Sequence, residues 1–335
     1  MVGLDIGSKT IKVIELAKDG VAWVLKASGA VGYSGASPDK MTDDKDYEAL
    51  ADILGKLIKQ IKITSREVNI ALPEPAVFTR VIKFPLLNDE EVSAAVKWEA
   101  EQYIPIPLAE AIVQHSILER NEATNSVSIL LVAAPRILVE KYVKIARLAG
   151  LTPISAETDL IALCRSLAPS KGVSLVVDLG AASTDIAISR NSMLYFSRSI
   201  PIGGEAFTRA VAQSLGIQPS QAEEYKKTYG LNPSALEGKV KAALDPVFRL
   251  VVDEVKKAIS FYQSEEKGDT PQSVIITGGV ATMPEVVPYL TQLLGIETIL
   301  GNSFTKITMD PETSKSLANY SSLYSIAVGL ALKEE

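Results

Sequence analysis

The sequence predicts an α/β protein built from two related halves, each of which carries an insertion. A strand-turn-strand segment with the pattern Asp-x-Gly occurs twice, first at Asp5 and again at Asp178, about half the chain length apart. This offset indicates an internal duplication. Apolar residues recur with a period of two in some stretches and of three to four in others, which indicates sheets covered by helices.

The first half is predicted as three antiparallel strands followed by a helix and a further strand. Gly7 to Thr10 form the turn between the first two strands, and Asp19-Gly20 is a hairpin turn into the third. Apolar residues from Tyr47 to Ile63 recur every three or four positions, which predicts an amphipathic helix. The predicted strands span residues 2–6, 11–16, 21–31 and 69–72.

The rest of the chain is predicted to alternate strands and helices. In the first insertion, Asn88 and Glu91 form a helix capping box, and Pro105 ends that helix. This insertion is predicted as strand, helix, strand and helix at 78–84, 89–103, 127–133 and 138–149. The second half is predicted to have strands at 175–179, 184–188, 193–200 and 273–277, and helices at 205–215, 221–228, 244–262 and 316–332.

Composition excludes several function classes. The 34 Lys and Arg against 40 Asp and Glu give a net charge of −6 without a basic cluster, so we expect no nucleic-acid partner. The longest uncharged stretch, 316–332, is too short and too polar to span a bilayer, so we expect no direct membrane insertion. The single Cys164 and the single His115 exclude an internal disulfide and a histidine-rich metal site, and predict a cytoplasmic protein.

The two Asp-x-Gly turns are the first candidate binding elements. Small and hydroxylic residues after a strand let backbone N–H groups converge on an anion such as phosphate. The residues so placed are Gly7, Ser8, Lys9 and Thr10 in the first turn and Gly180, Ala181, Ala182 and Ser183 in the second. Asp5 and Asp178 are candidates for Mg²⁺ binding through its water shell, and each also fits a plain hairpin turn braced by its aspartate. We expect Lys9 to face phosphate and Lys12 to lie on an exposed strand face.

Two further elements have weaker signals. Gly278-Gly279 follows an apolar strand, where paired glycines allow close approach of the backbone to a ligand but also occur in plain loops. Glu223 and Lys226 lie three residues apart on one helix face. They form either a surface ion pair or a contact to a ribose hydroxyl and a base edge.

Taken in order, these elements resemble the nucleotide-binding core of actin, sugar kinases and heat-shock chaperones, in which two duplicated RNase-H-like domains close on ATP. The resemblance rests on the two turns, on Ile275 to Val280 as an adenosine motif, and on Ala222 to Lys226. Gly203-Gly204 is similar to a glycine pair that lies near phosphate and sugar in several members. The resemblance implies ATP or ADP with Mg²⁺, held by the two turns, both glycine pairs, Glu223 and Lys226.

The insertions narrow this resemblance to the PilM family of actin-like type IV pilus assembly proteins, which is related to the division protein FtsA. The segments that carry it are Phe78-Thr79-Arg80, Phe84-Pro85, Ala95 to Pro105, Leu131 to Pro135 and Ala149-Gly150-Leu151. The implied fold is a duplicated RNase-H-like, actin-like ATPase fold with two inserted subdomains, as in FtsA. The implied subdomains are 1A at 1–76 and 152–170, 1C at 77–151, 2A at 171–215 and 272–335, and 2B at 216–271.

The resemblance also implies a function. PilM-type proteins are cytoplasmic scaffolds that bind ATP and the N-terminal cytoplasmic tail of the membrane protein PilN, in a groove between 1A and 1C. The chain would then be peripheral to the inner membrane through PilN, and other pilus assembly proteins and self-association are further partners that the resemblance allows. We expect no basic amphipathic helix of the FtsA type at the C-terminus, which reads Lys333-Glu334-Glu335.

The sequence leaves catalysis open. Hydrolysing members of the superfamily orient the attacking water with a polar side chain near the end of the first half, where Glu157, Thr158 and Asp159 stand. Helix capping also explains Glu157 and Asp159, so we expect weak ATPase activity at most. Two alternatives are an FtsA-like filament, which sedimentation with ATP would reveal, and a sugar-kinase-type phosphotransferase, for which the sequence shows no sugar-binding constellation.

Overall fold

The computed structural model describes residues 1–266 and 270–334. Its first half begins with three antiparallel strands, because two tight turns connect them, and continues with a helix and a parallel strand. These elements are β1 (Val2–Ile6), β2 (Thr10–Asp19), β3 (Ala22–Gly32), α1 (Asp44–Ile61) and β4 (Glu67–Leu72). The apolar stripe of α1 is buried in the core of this half, as its period predicts.

An insertion with its own sheet follows β4. It consists of β5 (Phe78–Pro85), α2 (Asp89–Tyr103), β6 (Ala111–Asn121) and β7 (Ser126–Pro135). The strands are antiparallel in the order β5-β7-β6, and α2 shares their core through Val92, Val96 and Ala100. The capping box of Asn88 and Glu91 is present at the start of α2, as predicted.

The chain then returns to the first half before it enters the second. The elements of this return are α3 (Arg136–Leu148), β8 (Thr152–Thr158) and α4 (Asp159–Leu167). Strand β8 pairs parallel to β4, which requires a crossover, and α3 supplies it with Leu138, Tyr142 and Ile145 in the core of the first half. Helix α3, which lies within the predicted insertion 77–151, therefore packs in the core of the first half, and strand β6 was not predicted.

The second half repeats the sheet of the first. Its elements are β9 (Val173–Leu179), β10 (Thr184–Arg190), β11 (Met193–Ile200), α5 (Gly204–Leu215), α6 (Pro219–Tyr229), α7 (Lys239–Glu266), β12 (Val274–Thr277), α8 (Val286–Leu294), β13 (Thr298–Leu300), α9 (Pro311–Leu317) and α10 (Ser325–Ala331). Its strand order, β11-β10-β9-β12-β13, matches β3-β2-β1-β4-β8 in the first half, with the same antiparallel and parallel pairs. The predicted duplication is therefore confirmed.

The later helices of the second half pack in two different places. Helices α6 and α7, which lie in the predicted subdomain 216–271, pack in the core of the second sheet through residues such as Phe248. The predicted final helix 316–332 is broken into α9 and α10, and α10 packs on β1, β2 and α4 of the first half. The contact between α10 and α4 is close, because a Cβ atom at Gly329 would lie 2.0 Å from the Ala162 carbonyl oxygen.

Candidate functional site

A cleft of about 950 Å³ lies between the two halves. It opens beyond the carboxyl ends of β1, β9 and β12, where ligands commonly bind in α/β sheets. The predicted binding residues that line it are Asp5, Gly7, Ser8, Lys9, Thr10, Asp178, Gly180, Ala181, Ala182, Ser183, Gly204, Glu223, Lys226, Gly278 and Gly279. The structure thus brings together nearly all of the positions that the sequence singles out.

Hydrogen bonds fix the first turn from both sides. The Gly7 N–H donates to the Thr10 carbonyl oxygen at 3.0 Å, and the Tyr33 hydroxyl donates to the Gly7 carbonyl oxygen at 2.7 Å. At the cleft floor, Lys12 Nζ lies 2.9 Å from Asp5 Oδ2 in a buried ion pair. The expectation that Lys12 lies on an exposed strand face is wrong, because its ammonium group points inward to the Asp5 carboxylate.

The second turn is in contact with the glycine loop that follows β12. Gly278 has a φ of +87°, and a Cβ atom there would lie 2.4 Å from Asp178 Oδ1, so only glycine fits. The Gly204 N–H donates to the Gly180 carbonyl oxygen at 2.9 Å. Gly203 is buried and does not line the cleft. The Gly203-Gly204 pair therefore holds the second turn in place, with Gly204 alone reaching the cleft surface.

Six acidic side chains line the cleft in addition to the paired Asp5, and three of them have a raised pKa. These three are Asp159, Asp178 and Asp185. Burial raises the pKa of Asp178 and that of Asp185 to about 7. Burial, followed by the negative charge of Asp5, raises the pKa of Asp159 well above its usual range. Negative charge at this floor is therefore poorly compensated by the protein itself.

The cleft floor fits a hydrated divalent cation. Asp185 Oδ1 is buried without a hydrogen-bond partner among the residues that the structure describes. Within residues 1–266 and 270–334, His, Cys, Asp and Glu side chains do not form a group of three or more that could hold a metal. Mg²⁺ matches such a floor, because it is usually held by one or two carboxylates with water and substrate phosphates. Asp178 and Asp185 are the residues that would hold it.

Asp185 was not among the predicted binding residues, although hairpin register predicts its position. Asp185 pairs with Asp178 across β9 and β10, as Lys12 pairs with Asp5 across β1 and β2. The duplicated hairpins thus place an Asp–Lys pair on one wall and an Asp–Asp pair on the other. A bound cation would therefore be attracted more strongly by the second half than by the first.

Glu223 and Lys226 form a hydrogen-bond cluster with a residue that the sequence analysis did not consider, Thr208 on α5. Lys226 Nζ donates to Glu223 Oε2 at 2.6 Å and to Thr208 Oγ1 at 2.9 Å. Lys226 is 4% exposed. Although burial acts in the opposite direction, hydrogen bonds from Lys226 and Thr208 lower the pKa of Glu223 to about 2. Glu223 is therefore a fixed carboxylate at the cleft surface.

Lys9 reaches across the cleft. Its Nζ atom lies 3.1 Å from Glu205 Oε1 in the first turn of α5, and both side chains are about half exposed. Such an exposed pair contributes about 0 to 1 kcal/mol to stability. Glu205 therefore holds Lys9 only weakly. Because Lys9 belongs to the first Asp-x-Gly turn, its ammonium group can contact an anion bound at that turn.

The three candidate water-orienting residues have different surroundings. The Glu157 carboxylate pairs with Arg165, lies 3.7 Å from Lys333 Nζ and does not line the cleft. Thr158 is buried and caps α4 with its hydroxyl oxygen. Of the three, Asp159 is the residue that lines the cleft.

Known proteins with similar sequences and structures identify the family and the fold of this chain. The family model for the type IV pilus assembly protein PilM matches residues 3–335. A solved PilM–PilN type IV pilus biogenesis complex contains a chain that is 27% identical, with a TM-score of 0.85 over 99% of this chain and 97% of that chain. MreB5 of Spiroplasma citri bound to ADP is 15% identical, with a TM-score of 0.53 over 98% and 94% of the two chains. The likeness to MreB5 shows the fold alone.

Curated relatives include cell division proteins FtsA. That of Bacillus subtilis strain 168 is 29% identical over 146 residues, which are 37% of this chain and 32% of FtsA. That of Streptococcus pneumoniae serotype 2 is 21% identical over 340 residues, covering 89% and 74%. The chain therefore spans about a third of the length of the first of these relatives.

In the described part of the chain, we find no helix that combines the length and the apolar character needed to cross a membrane. Because the PilM model matches almost every residue, the chain belongs to the PilM family of type IV pilus assembly proteins.

Proposed function

We propose that this chain is a cytoplasmic, nucleotide-binding scaffold of type IV pilus assembly that binds the N-terminal cytoplasmic segment of PilN. The observation that carries the proposal is the family match over nearly the whole chain, together with the likeness to a chain of a PilM–PilN complex. Binding to PilN would hold the protein at the inner membrane. The proposed PilN groove is the junction between the first half and the insertion, which the chain crosses between β7 and α3.

Peptide binding tests the scaffold role. A fluorescently labelled peptide with the N-terminal segment of PilN from the same organism should bind saturably to the full chain in an anisotropy titration. A scrambled peptide of the same composition is the control and should not bind. Failure of the PilN peptide to bind either the nucleotide-free chain or the chain with Mg²⁺ and ATP would overturn the scaffold role.

The proposal includes ATP or ADP with Mg²⁺ in the cleft. Support comes from the two turns on opposite walls, from the contact of Gly278 with Asp178, and from the buried Asp185 Oδ1 atom. When bound, Mg²⁺ would neutralise phosphate charge, and the residues that would hold it are Asp178 and Asp185. The backbone of the two turns, Lys9 and Lys12 would bind phosphate.

Calorimetry tests the nucleotide. The full chain should bind ATP in the presence of Mg²⁺, and Asp178→Asn should weaken that binding by about tenfold or more, since one carboxylate is lost from the cation site. Asp253→Asn, on an exposed position of α7, is the matched control and should leave the affinity unchanged. Absence of ATP binding to the unmodified chain would overturn this part of the proposal.

Hydrolysis is proposed to be slow. Of the three candidate water-orienting residues, Asp159 alone lines the cleft, and it is also the first residue of α4, where helix capping explains it equally well. A phosphate-release assay should show turnover well below the range of about 1 to 100 s⁻¹ that is typical of kinases. Turnover within that range would contradict this part of the proposal.

A further inference from the structure

The insertion packs on the second half, although both of its chain connections lead to the first half. It follows β4 and ends where α3 begins. Successive residues of its central strand β7 face opposite sides of the sheet. Ile129 and Leu131 pack with α2, whereas Leu130 and Val132 pack in the core that contains β9, β10 and β11. One face of the insertion sheet is thus a noncovalent contact with the other half of the molecule.

An ion pair lies at the outer end of this contact. Leu118 on β6 is buried in the same core as β11, and the next turn of the argument is its neighbour Glu119. Glu119 Oε2 lies 3.4 Å from Arg190 Nη1 on β10 and 3.5 Å from the Tyr195 hydroxyl oxygen on β11. The Glu119 and Arg190 side chains are about one-third exposed, so the pair is weak and can separate.

Glu74, just before β5, lies at the inner end of the contact. It is 4% exposed, and its Oε2 atom has no hydrogen-bond partner among the residues that the structure describes. Burial raises the pKa of Glu74, and the hydroxyl groups of Ser197 on β11, Thr158 at the end of β8 and Thr79 on β5 act in the opposite direction. One buried carboxyl group therefore lies where the second half, the first half and the insertion meet.

This inner end borders the cleft. Pro73 and Pro75, on either side of Glu74, both line the cleft, and so does Ser199, two residues after Ser197 on β11. Proline restricts the backbone, so the segment that carries Glu74 is stiff. A rotation of the second half that widens the cleft must therefore separate β11 from the insertion or shift the insertion against the first half.

We propose that the insertion is a strap that ties β11 to the first half, and that nucleotide enters and leaves the cleft only after this strap separates. The strap consists of Glu74, the apolar sheet face with Leu118 and Leu130, and Glu119. This inference rests on the proposed function, because it concerns the proposed nucleotide. The strap makes no contact with the cleft ligand, so it stabilises the closed cleft equally with and without nucleotide. Weakening it should speed both binding and release and leave the affinity almost unchanged.

Stopped-flow fluorescence with a labelled ATP and Mg²⁺ tests the outer end of the strap in the full chain. Glu119→Arg brings a second positive charge to Arg190, so the rate constants of binding and of release should each rise about fivefold, and Kd should change by less than about twofold. Glu122→Arg, at an exposed position in the turn between β6 and β7, makes the same charge change in the insertion. This control should leave both rate constants unchanged.

Two variants of Glu74 test the inner end. Glu74→Leu keeps a similar volume but removes the acceptor that the three hydroxyl groups face, so both rate constants should rise about fivefold or more. Glu74→Gln keeps the shape and an acceptor oxygen, and its rate constants should stay within about twofold of those of the unmodified chain. Urea denaturation establishes which variants are folded, and Glu119→Arg gives an independent measurement if Glu74→Leu does not fold.

Two results would overturn the inference and leave the proposed nucleotide function intact. One is that folded Glu119→Arg binds and releases the labelled ATP at the rates of the unmodified chain. The other is faster release without faster binding, which would indicate a damaged nucleotide site and not a cleft that opens more easily. An unmodified chain that does not bind the labelled ATP would refute the proposed nucleotide function, and the inference with it.

Discussion

Replacing Asp178 by asparagine should make the stability of the nucleotide-free protein less dependent on pH. Asp178 is 8% exposed, and burial, followed by the negative charge of Asp185, raises its pKa from 3.8 to about 7. A carboxyl group with a higher pKa in the folded state binds more protons when the chain is folded. Its contribution to the free energy of unfolding is therefore greatest at low pH and is lost as the pH rises through 7.

The magnitude follows from these two pKa values. Between pH 6 and pH 8 an unfolded aspartate stays ionised, whereas Asp178 in the folded state changes from about nine-tenths to about one-tenth protonated. This change lowers the free energy of unfolding by about 1.4 kcal/mol. Asparagine keeps the shape of the side chain and does not titrate. The decrease in stability from pH 6 to pH 8 should therefore be smaller by about 1.4 kcal/mol in Asp178→Asn.

Urea denaturation at pH 6, 7 and 8, in EDTA and without nucleotide, measures this difference. Asp253→Asn, at the exposed position on α7, is the control and should keep the pH dependence of the unmodified chain. The same pH dependence in Asp178→Asn and in the unmodified chain would refute the reasoning, because it would show that Asp178 is ionised over the whole range.

Gly329→Ala should lower the free energy of unfolding by about 2 kcal/mol or more, since the new Cβ atom would lie 2.0 Å from the Ala162 carbonyl oxygen. A decrease below about 0.5 kcal/mol in urea denaturation would contradict the packing of α10 on α4. Glu205→Gln should change stability by less than about 1 kcal/mol but strengthen ATP binding about threefold, because Lys9 is released and a negative charge near the phosphates is removed. Weaker ATP binding by this variant in calorimetry would argue against that role of Lys9. The Mg²⁺-dependent affinity for ATP should rise about tenfold more from pH 6 to pH 8 in the unmodified chain than in Asp178→Asn, because the cation needs the ionised carboxylate. Equal pH dependence of the two affinities would exclude Asp178 as a cation ligand.

Local signals predicted much of the fold. The capping box of Asn88 and Glu91 fixes the start of α2, and the repeated Asp-x-Gly turns predict both hairpins. Strand β6 was not predicted, because a shift of register between Ile117 and Glu119 breaks the period of two on which strand prediction depends. The position of α10 was not predicted either, because no local sequence pattern determines which sheet a short apolar helix covers.

The candidate site divides in the same way. The places of Lys12 and Asp185 could have been predicted from the sequence, because each residue lies opposite the aspartate of its own hairpin in the strand register. The sequence alone could not predict the contact of Lys9 with Glu205 or that of Thr208 with Glu223. These contacts join different helices or different halves of the chain, and only tertiary packing brings them together.

Hydrogen exchange measured by mass spectrometry on the full chain tests the proposed scaffold most directly, because it locates both ligands in one protein. Mg²⁺ with ATP should slow exchange in the turns at 7–10 and 180–183 and in the loop at 278–279. The PilN peptide, added alone, should slow exchange where the insertion meets the first half, in segments 78–85 and 136–148. Two results would contradict the proposed scaffold. One is that ATP slows exchange only in segments other than the two turns, and the other is that neither ligand changes the exchange rate.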